Sequence, residues 1–167
     1  MTGLTFELLC MQLLTGIALG SIYALLALGL CLIFGMLNVV NFAHGAFFMV
    51  GAFLGVYFLG VTGSFWFSLV LTPLVTGAIG LITERFLVRP LYGRGLDYPL
   101  LLTFGLSYVL IEVMRVTFGI EGLPSVTPEG LTGSMNVGIG YFPKYRLFLI
   151  AATAVIILGV WFLIQKT

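Results

Sequence analysis

Asn38, Asn41 and His44 stand three residues apart in the stretch NVVNFAHGAFFMVGAF, which carries no Asp, Glu, Lys or Arg and holds the only histidine of the chain. An imidazole can serve as general base, metal ligand or hydrogen-bonding group, and the first two roles need companions. No serine, cysteine or carboxylate lies close to His44 in sequence, and no spacing of His, Cys, Asp or Glu resembles a metal-binding set. The residues therefore point away from an enzyme and toward hydrogen bonding in apolar surroundings. If the segment is helical, the spacing by three places the polar groups on a band of one face. Such a band cannot face lipid, because an unsatisfied amide or imidazole in hydrocarbon costs several kcal/mol. Two roles satisfy it: a polar knot that stitches a helix junction, or a direct part in solute passage. Gly35 and Gly45 on either side suit a break or bend between them.

The surrounding chain must supply the helices. Apolar residues make up 60% of it, charged residues 8%, and the mean hydropathy is +1.20, outside the range of a soluble domain. No Asp, Glu, Lys or Arg occurs between Glu7 and Glu84, a run long enough for several crossings at about twenty residues each. The expected fold is an all-α integral membrane protein, a partial helical bundle of about five transmembrane helices forming one domain. Turn residues and charges place the spans at about 8–36, 40–59, 65–88, 99–118 and 147–164. The third is expected to stop before Pro90, which cannot continue a helix. Residues 119–146, rich in Gly, Pro, Ser and Thr, read as a long extramembrane loop. The amino end lacks a basic leader, so the first span is expected to remain in the protein.

Arg85, Arg89 and Arg94 lie together before the fourth span, and short cytoplasmic loops retain such charge. That loop is therefore expected inside, with the amino terminus and the 119–146 loop outside, unless the second span is re-entrant. Glu84, Arg85, Arg89 and Pro90 form the cytoplasmic helix end, where the arginines meet the negative helix terminus and anionic lipid, or alternatively a partner protein. Glu112 and Arg115 are three apart and can pair on one helix face. An interfacial pair with a snorkelling arginine and a gate contact both fit. Gln12, Gly16, Gly20, Tyr23, Ala27 and Cys31 recur along one face of the first span. Gly16 with Gly20, and Gly51 with Gly55, are small-xxx-small pairs of the kind that admit a close helix. Cys10 and Cys31 fall roughly 30 Å apart at about 1.5 Å per residue, out of reach of a disulfide. A net charge of +1 without a basic run argues against nucleic acid and points to membrane lipid, membrane proteins and proteins that dock on them as partners.

The stretch SIYALLALGLCLIFGMLNVVNFAHGAFFMVGAF resembles the amino-terminal half of the H-type permease subunit of branched-chain amino-acid ABC importers. The signature NFAHG, Asn41–Phe42–Ala43–His44–Gly45, carries the likeness. ERFLVRPLYGRG, from Glu84 to Gly95, is similar to that family's first cytoplasmic loop, and GLSYVLIEVMRVTFG, from Gly105 to Gly119, to the span that follows. Many members carry an acidic residue where this chain has Ala46, so any role of that carboxylate is absent here. The resemblance implies a multi-pass protein of a bacterial-type inner membrane that moves a small amino acid inward. It further implies an external substrate-binding protein, an M-type partner permease and cytoplasmic ATPase subunits. ATP would be bound by those subunits, since this chain has no GxxxxGK[ST] phosphate loop and needs no cofactor of its own. The coupling segment of the family begins just beyond the residues that match FLIQKT, so the chain is expected to correspond to about the first half of a full permease. A urea or amide importer permease and a non-transporting helical scaffold are the alternatives. The scaffold would leave the polar band unexplained.

Overall fold

The computed structural model describes residues 6–37, 39–124, 127–138 and 140–166. Among them are five helices long and apolar enough to cross a membrane: α1 (Phe6–Leu37), α2 (His44–Thr62), α3 (Phe65–Thr83), α4 (Asp97–Phe118) and α5 (Lys144–Lys166). An antiparallel hairpin, β1 (Ser134–Asn136) with β2 (Tyr141–Pro143), stands before α5. The chain divides into two compact units, one of Leu30–Ser125 and one of Met1–Gly29 with Val126–Thr167.

In the unit of residues 30–125, α2 and α3 form an antiparallel hairpin turned by Gly63. Its backbone sits at φ +64°, the left-handed region open to glycine, and its N–H donates to the Leu59 carbonyl at 2.9 Å. Ser64 then caps α3, its hydroxyl accepting from the Phe67 N–H. Along the seam a Cβ on Gly51 would stand 3.6 Å from Thr76 Oγ1, and one on Gly55 3.6 Å from Thr72 Oγ1. The Ser68 hydroxyl donates to the Gly55 carbonyl at 2.7 Å. The small-xxx-small pair of α2 is thus filled by a row of hydroxyl residues on α3. α4 packs on α2 through Phe118, stacked 5.2 Å from Phe53 and edge-on to Tyr57.

The end of α3 departs from the expected stop. The α-helix widens into a π turn at Glu84–Val88, where the Arg89 N–H reaches the Glu84 carbonyl, and then tightens into a 3-10 turn over Arg89–Leu91. Pro90 lies inside this last turn. Its ring crowds the preceding turn and offers no N–H, so the ladder changes pitch and the helical path runs on past Val88.

In the other unit, residues 119–146 are not a plain loop. They include a 3-10 turn at Glu129–Leu131 and the β1–β2 hairpin, and α5 starts at Lys144, three residues before the expected Leu147. Phe142 is only 2% exposed and is the buried anchor of the hairpin. Gly140 has φ +150°, and a Cβ there would run into the Met11 methyl group. Arg146, in the first turn of α5, donates to Thr15 of α1 at 2.9 Å.

Candidate functional site

Between α1 and α2 the chain leaves the helical path, and the sequence shows why. The Asn41 side-chain oxygen accepts from the Ala43 N–H at 3.0 Å, while the Asn41 carbonyl accepts from the His44 N–H at 3.2 Å. This local turn competes with helix, as short amides do. The next donor is met from α4, where the Thr103 hydroxyl accepts from the Phe42 N–H at 3.2 Å. The same hydroxyl stands 3.4 Å from the Val40 carbonyl and 3.1 Å from the Leu100 carbonyl. With a single proton it can donate to only one of these at a time. Backbone outside regular structure in a membrane protein must find such partners within the protein. The junction is accordingly the tightest place in the unit: Ala43 is 0% exposed and Thr103 1%, with Val39, Ala46 and Val50 also buried.

This geometry corrects the helical band. Residues 39–43 are not helical, so Asn41 and His44 do not share a helix face. Asn38 lies outside the described residues. Asn41 belongs to the turn and His44 opens α2, yet both line one cavity of about 480 Å³. Phe42 points elsewhere, half exposed and edge-on to Phe104 of α4 at 6.1 Å. Gly35 and Gly45 are both helical, so the bend rests on the Asn41 turn and not on glycine.

Ile33, Val39, Phe47 and Val88 form apolar parts of the cavity wall; Thr76, Thr103, Glu84 and Tyr92 add polar ones. The volume and the mixture of a mostly apolar lining with a few polar groups suit a small solute. The Tyr92 hydroxyl donates to Glu84 Oε1 at 3.2 Å. Burial, and then the Glu84 carboxylate beside it, push the Tyr92 phenol up, which keeps it a donor. Among the described residues, two buried hydroxyls have no hydrogen-bond partner, Thr72 Oγ1 and Thr76 Oγ1, both on the glycine seam.

Of the other expected sites, Arg85, Arg89 and Pro90 are exposed around the π and 3-10 turns, and only Glu84 of that group reaches the cavity. Glu112 and Arg115 form the ion pair that their spacing suggests, at 2.7 Å in the last turns of α4, with both side chains about half exposed. Among the described residues nothing from outside their own stretch of helix lies within 4 Å of the position of a Cβ on Gly16 or Gly20. Sequence reasoning missed Thr103, Thr76 and Tyr92. The signal for Thr103 is a hydroxyl in an apolar helix that has no other reason for one; Tyr92 gives no such signal, because it meets Glu84 only through the shape of the turns between them.

Residues 12–167 match the family of the branched-chain amino acid transport system permease component. The chain belongs to this permease family. It is 29% identical over 173 residues to the high-affinity branched-chain amino acid transport system permease protein BraD of Pseudomonas aeruginosa, covering 93% of this chain and 55% of that one. It is 30% identical over 128 residues to LivH, the permease protein of the same description from Escherichia coli K12, covering 69% of this chain and 41% of that one. The LivH of Salmonella typhimurium is 28% identical over 126 residues. The permease chain therefore spans about half the length of these relatives. No solved structure matches it. Family membership and five apolar helices together make it a multi-pass membrane protein.

Proposed function

We propose that this permease chain forms part of the solute path of an ATP-driven importer of branched-chain amino acids in a bacterial inner membrane. Its partners are an M-type permease, cytoplasmic ATPase subunits that bind the nucleotide, and an external binding protein. The observation that carries the reading is the cavity at the α1–α2 break, where Asn41, His44 and Thr103 meet an apolar wall sized for a small molecule. The relatives' described role in branched-chain amino acid transport supports the cargo.

Two contacts support the topology of this reading. Because Gly51 faces Thr76 and Gly55 faces Thr72, the cavity end of α2 and the Glu84 end of α3 lie together. That end bears Arg85, Arg89 and Arg94, so the cavity sits in the cytoplasmic half of the unit. The Arg146–Thr15 bond, between the first turn of α5 and the amino-terminal third of α1, supports putting those two ends on one side of the membrane. An even number of crossings must separate them, which α1, α2, α3 and α4 supply when α2 spans fully. The amino end is then external.

The test is uptake of radiolabelled leucine into cells that lack their own permeases. The cells carry the ATPases, M-type partner and binding protein of a relative, with this chain co-expressed beside a chain supplying the relative's remaining helices. ATP-dependent leucine uptake, competed by isoleucine and valine, is the expected result. Uptake that ignores these amino acids, or none with both chains inserted and associated, would overturn the reading.

A further inference from the structure

The cavity has a charge signature that its place in a transport path does not by itself require. Among the described residues Glu84 is the single carboxylate in its lining and no lysine or arginine lines it, the nearest cationic influence being that of Arg89 on Tyr92 from outside the wall. One of the carboxylate's roughly four lone-pair sites takes the Tyr92 hydroxyl, which leaves acceptor capacity for a second donor. The Asn41 amide is fixed the other way round: its oxygen is held by the Ala43 N–H, so its NH₂ group is the part left to donate. Room is present beside Glu84, since a Cβ on Gly80, one turn earlier on the same wall, would meet no other part of the described residues within 4 Å beyond its own stretch of helix.

We propose that Glu84 is the seat of an ammonium group, so that the cavity selects a primary-ammonium solute with its branched aliphatic body against Ile33, Val39, Phe47 and Val88. An ammonium group brings three donors and no acceptor, which matches a carboxylate with free lone pairs. The solute's own carboxylate turns away from Glu84 toward the Asn41 amide hydrogens. A solute with a carboxylate and no amine meets like charge at Glu84 and is disfavoured. Tyr92 orients the carboxylate and occupies the oxygen site that the solute does not use. The identity of the cargo rests on the transport reading, whereas the charge selectivity belongs to the cavity itself.

The experiment therefore reads the cavity without transport. In the full chain with Cys10→Ser and Cys31→Ser, Gly80→Cys places a thiol beside Glu84. The purified protein, in a neutral maltoside detergent, is treated with trimethylammonium-ethyl, sulfonatoethyl and uncharged methyl methanethiosulfonates, each rate being normalised to that with a free thiol in solution. The expected result is modification by all three, with the cationic reagent favoured over the anionic one by roughly tenfold. Glu84→Gln should bring the ratio close to one while the uncharged reagent reacts as before. His44→Gln should keep the preference, because the charge invoked is that of Glu84. Tyr92→Phe, which retains the carboxylate, should also keep or raise it and serves as the second measure if Glu84→Gln does not fold. A ratio near one in the starting protein, an unchanged ratio in Glu84→Gln, loss of preference in Tyr92→Phe, or no reaction with the uncharged reagent would each overturn the proposal. Selectivity without leucine uptake would sink the transport reading and leave this site standing; uptake without selectivity would do the reverse.

Discussion

Two glycine pairs of identical spacing have different fates in this protein. Gly51 and Gly55 of α2 lie against Thr76 and Thr72 of α3, while Gly16 and Gly20 of α1 meet none of the described residues beyond their own helix within 4 Å of where a side chain would begin. The difference comes from what the neighbouring sequence provides. α3 carries Ser68, Thr72 and Thr76 at intervals of four, one face of small hydroxyl residues that fits a glycine groove, and a short turn at Gly63 returns it antiparallel to α2. Among the described residues no such face lies against the glycine pair of α1. A small-xxx-small pair states that a helix can be approached; a complementary face within reach decides whether it is.

The largest effect should come from filling the occupied groove. Gly51→Leu with Gly55→Leu forces long side chains onto Thr76 and Thr72, and overpacking of this kind costs about 1–3 kcal/mol at each site. The double variant should lose its folded fraction early in an SDS titration. Gly51→Ala, by contrast, adds a Cβ at ordinary contact distance and should shift the midpoint little. If the leucine pair is tolerated, the seam does not hold the unit together.

Next in size is the hydroxyl that joins α4 to the helix break. Thr103→Val keeps the shape but strands the Phe42 N–H, and a buried donor left without a partner costs about 1–3 kcal/mol. Thr103→Ser keeps the oxygen and should stay close to the starting protein by the same titration. Amide hydrogen exchange at Phe42 should quicken in the valine variant alone. Equal behaviour of valine and serine would show that Thr103 only fills space.

The sequence made the helices legible because a membrane span announces itself through length and lack of charge, and those signals do not depend on distant residues. Its boundaries were less legible where local chemistry overrides hydropathy. Asn41 draws the chain out of the helix by bonding to Ala43, so α2 begins at His44 and not near Val40. Pro90 changes the pitch of α3 without stopping it. The site was half visible: the NFAHG signature marked Asn41 and His44, but nothing local ties them to Thr103, Glu84 and Tyr92. Those residues join the cavity through the antiparallel return of α3 and the approach of α4, which are properties of packing. The hairpin before α5 was hidden for the opposite reason, since Gly, Pro, Ser and Thr read as loop whether or not two three-residue strands pair inside it.

A smaller effect is expected in the unit of residues 1–29 and 126–167. Arg146→Ala removes the bond to Thr15, an exposed contact that should contribute about 1 kcal/mol or less. The SDS midpoint should barely move. The reactivity of a cysteine placed at Met11 should rise, because that side chain lies against Gly140 of the loop which Arg146 helps to hold. An unchanged reactivity would mean that the hairpin and Phe142 fix this unit without the arginine.

The smallest effect belongs to the open groove and tests the comparison most directly. Gly16→Leu with Gly20→Leu makes the same chemical change as the leucine pair in α2, on the same spacing, in a helix equally apolar. In the purified chain the added side chains displace no neighbour, and leucine favours helix over glycine by up to about 1 kcal/mol per site. The midpoint should therefore hold or rise slightly. A fall comparable to that of the α2 pair would mean that α1 is approached along this face within the chain. The contrast between the grooves would then dissolve, and spacing alone would be the better guide to packing.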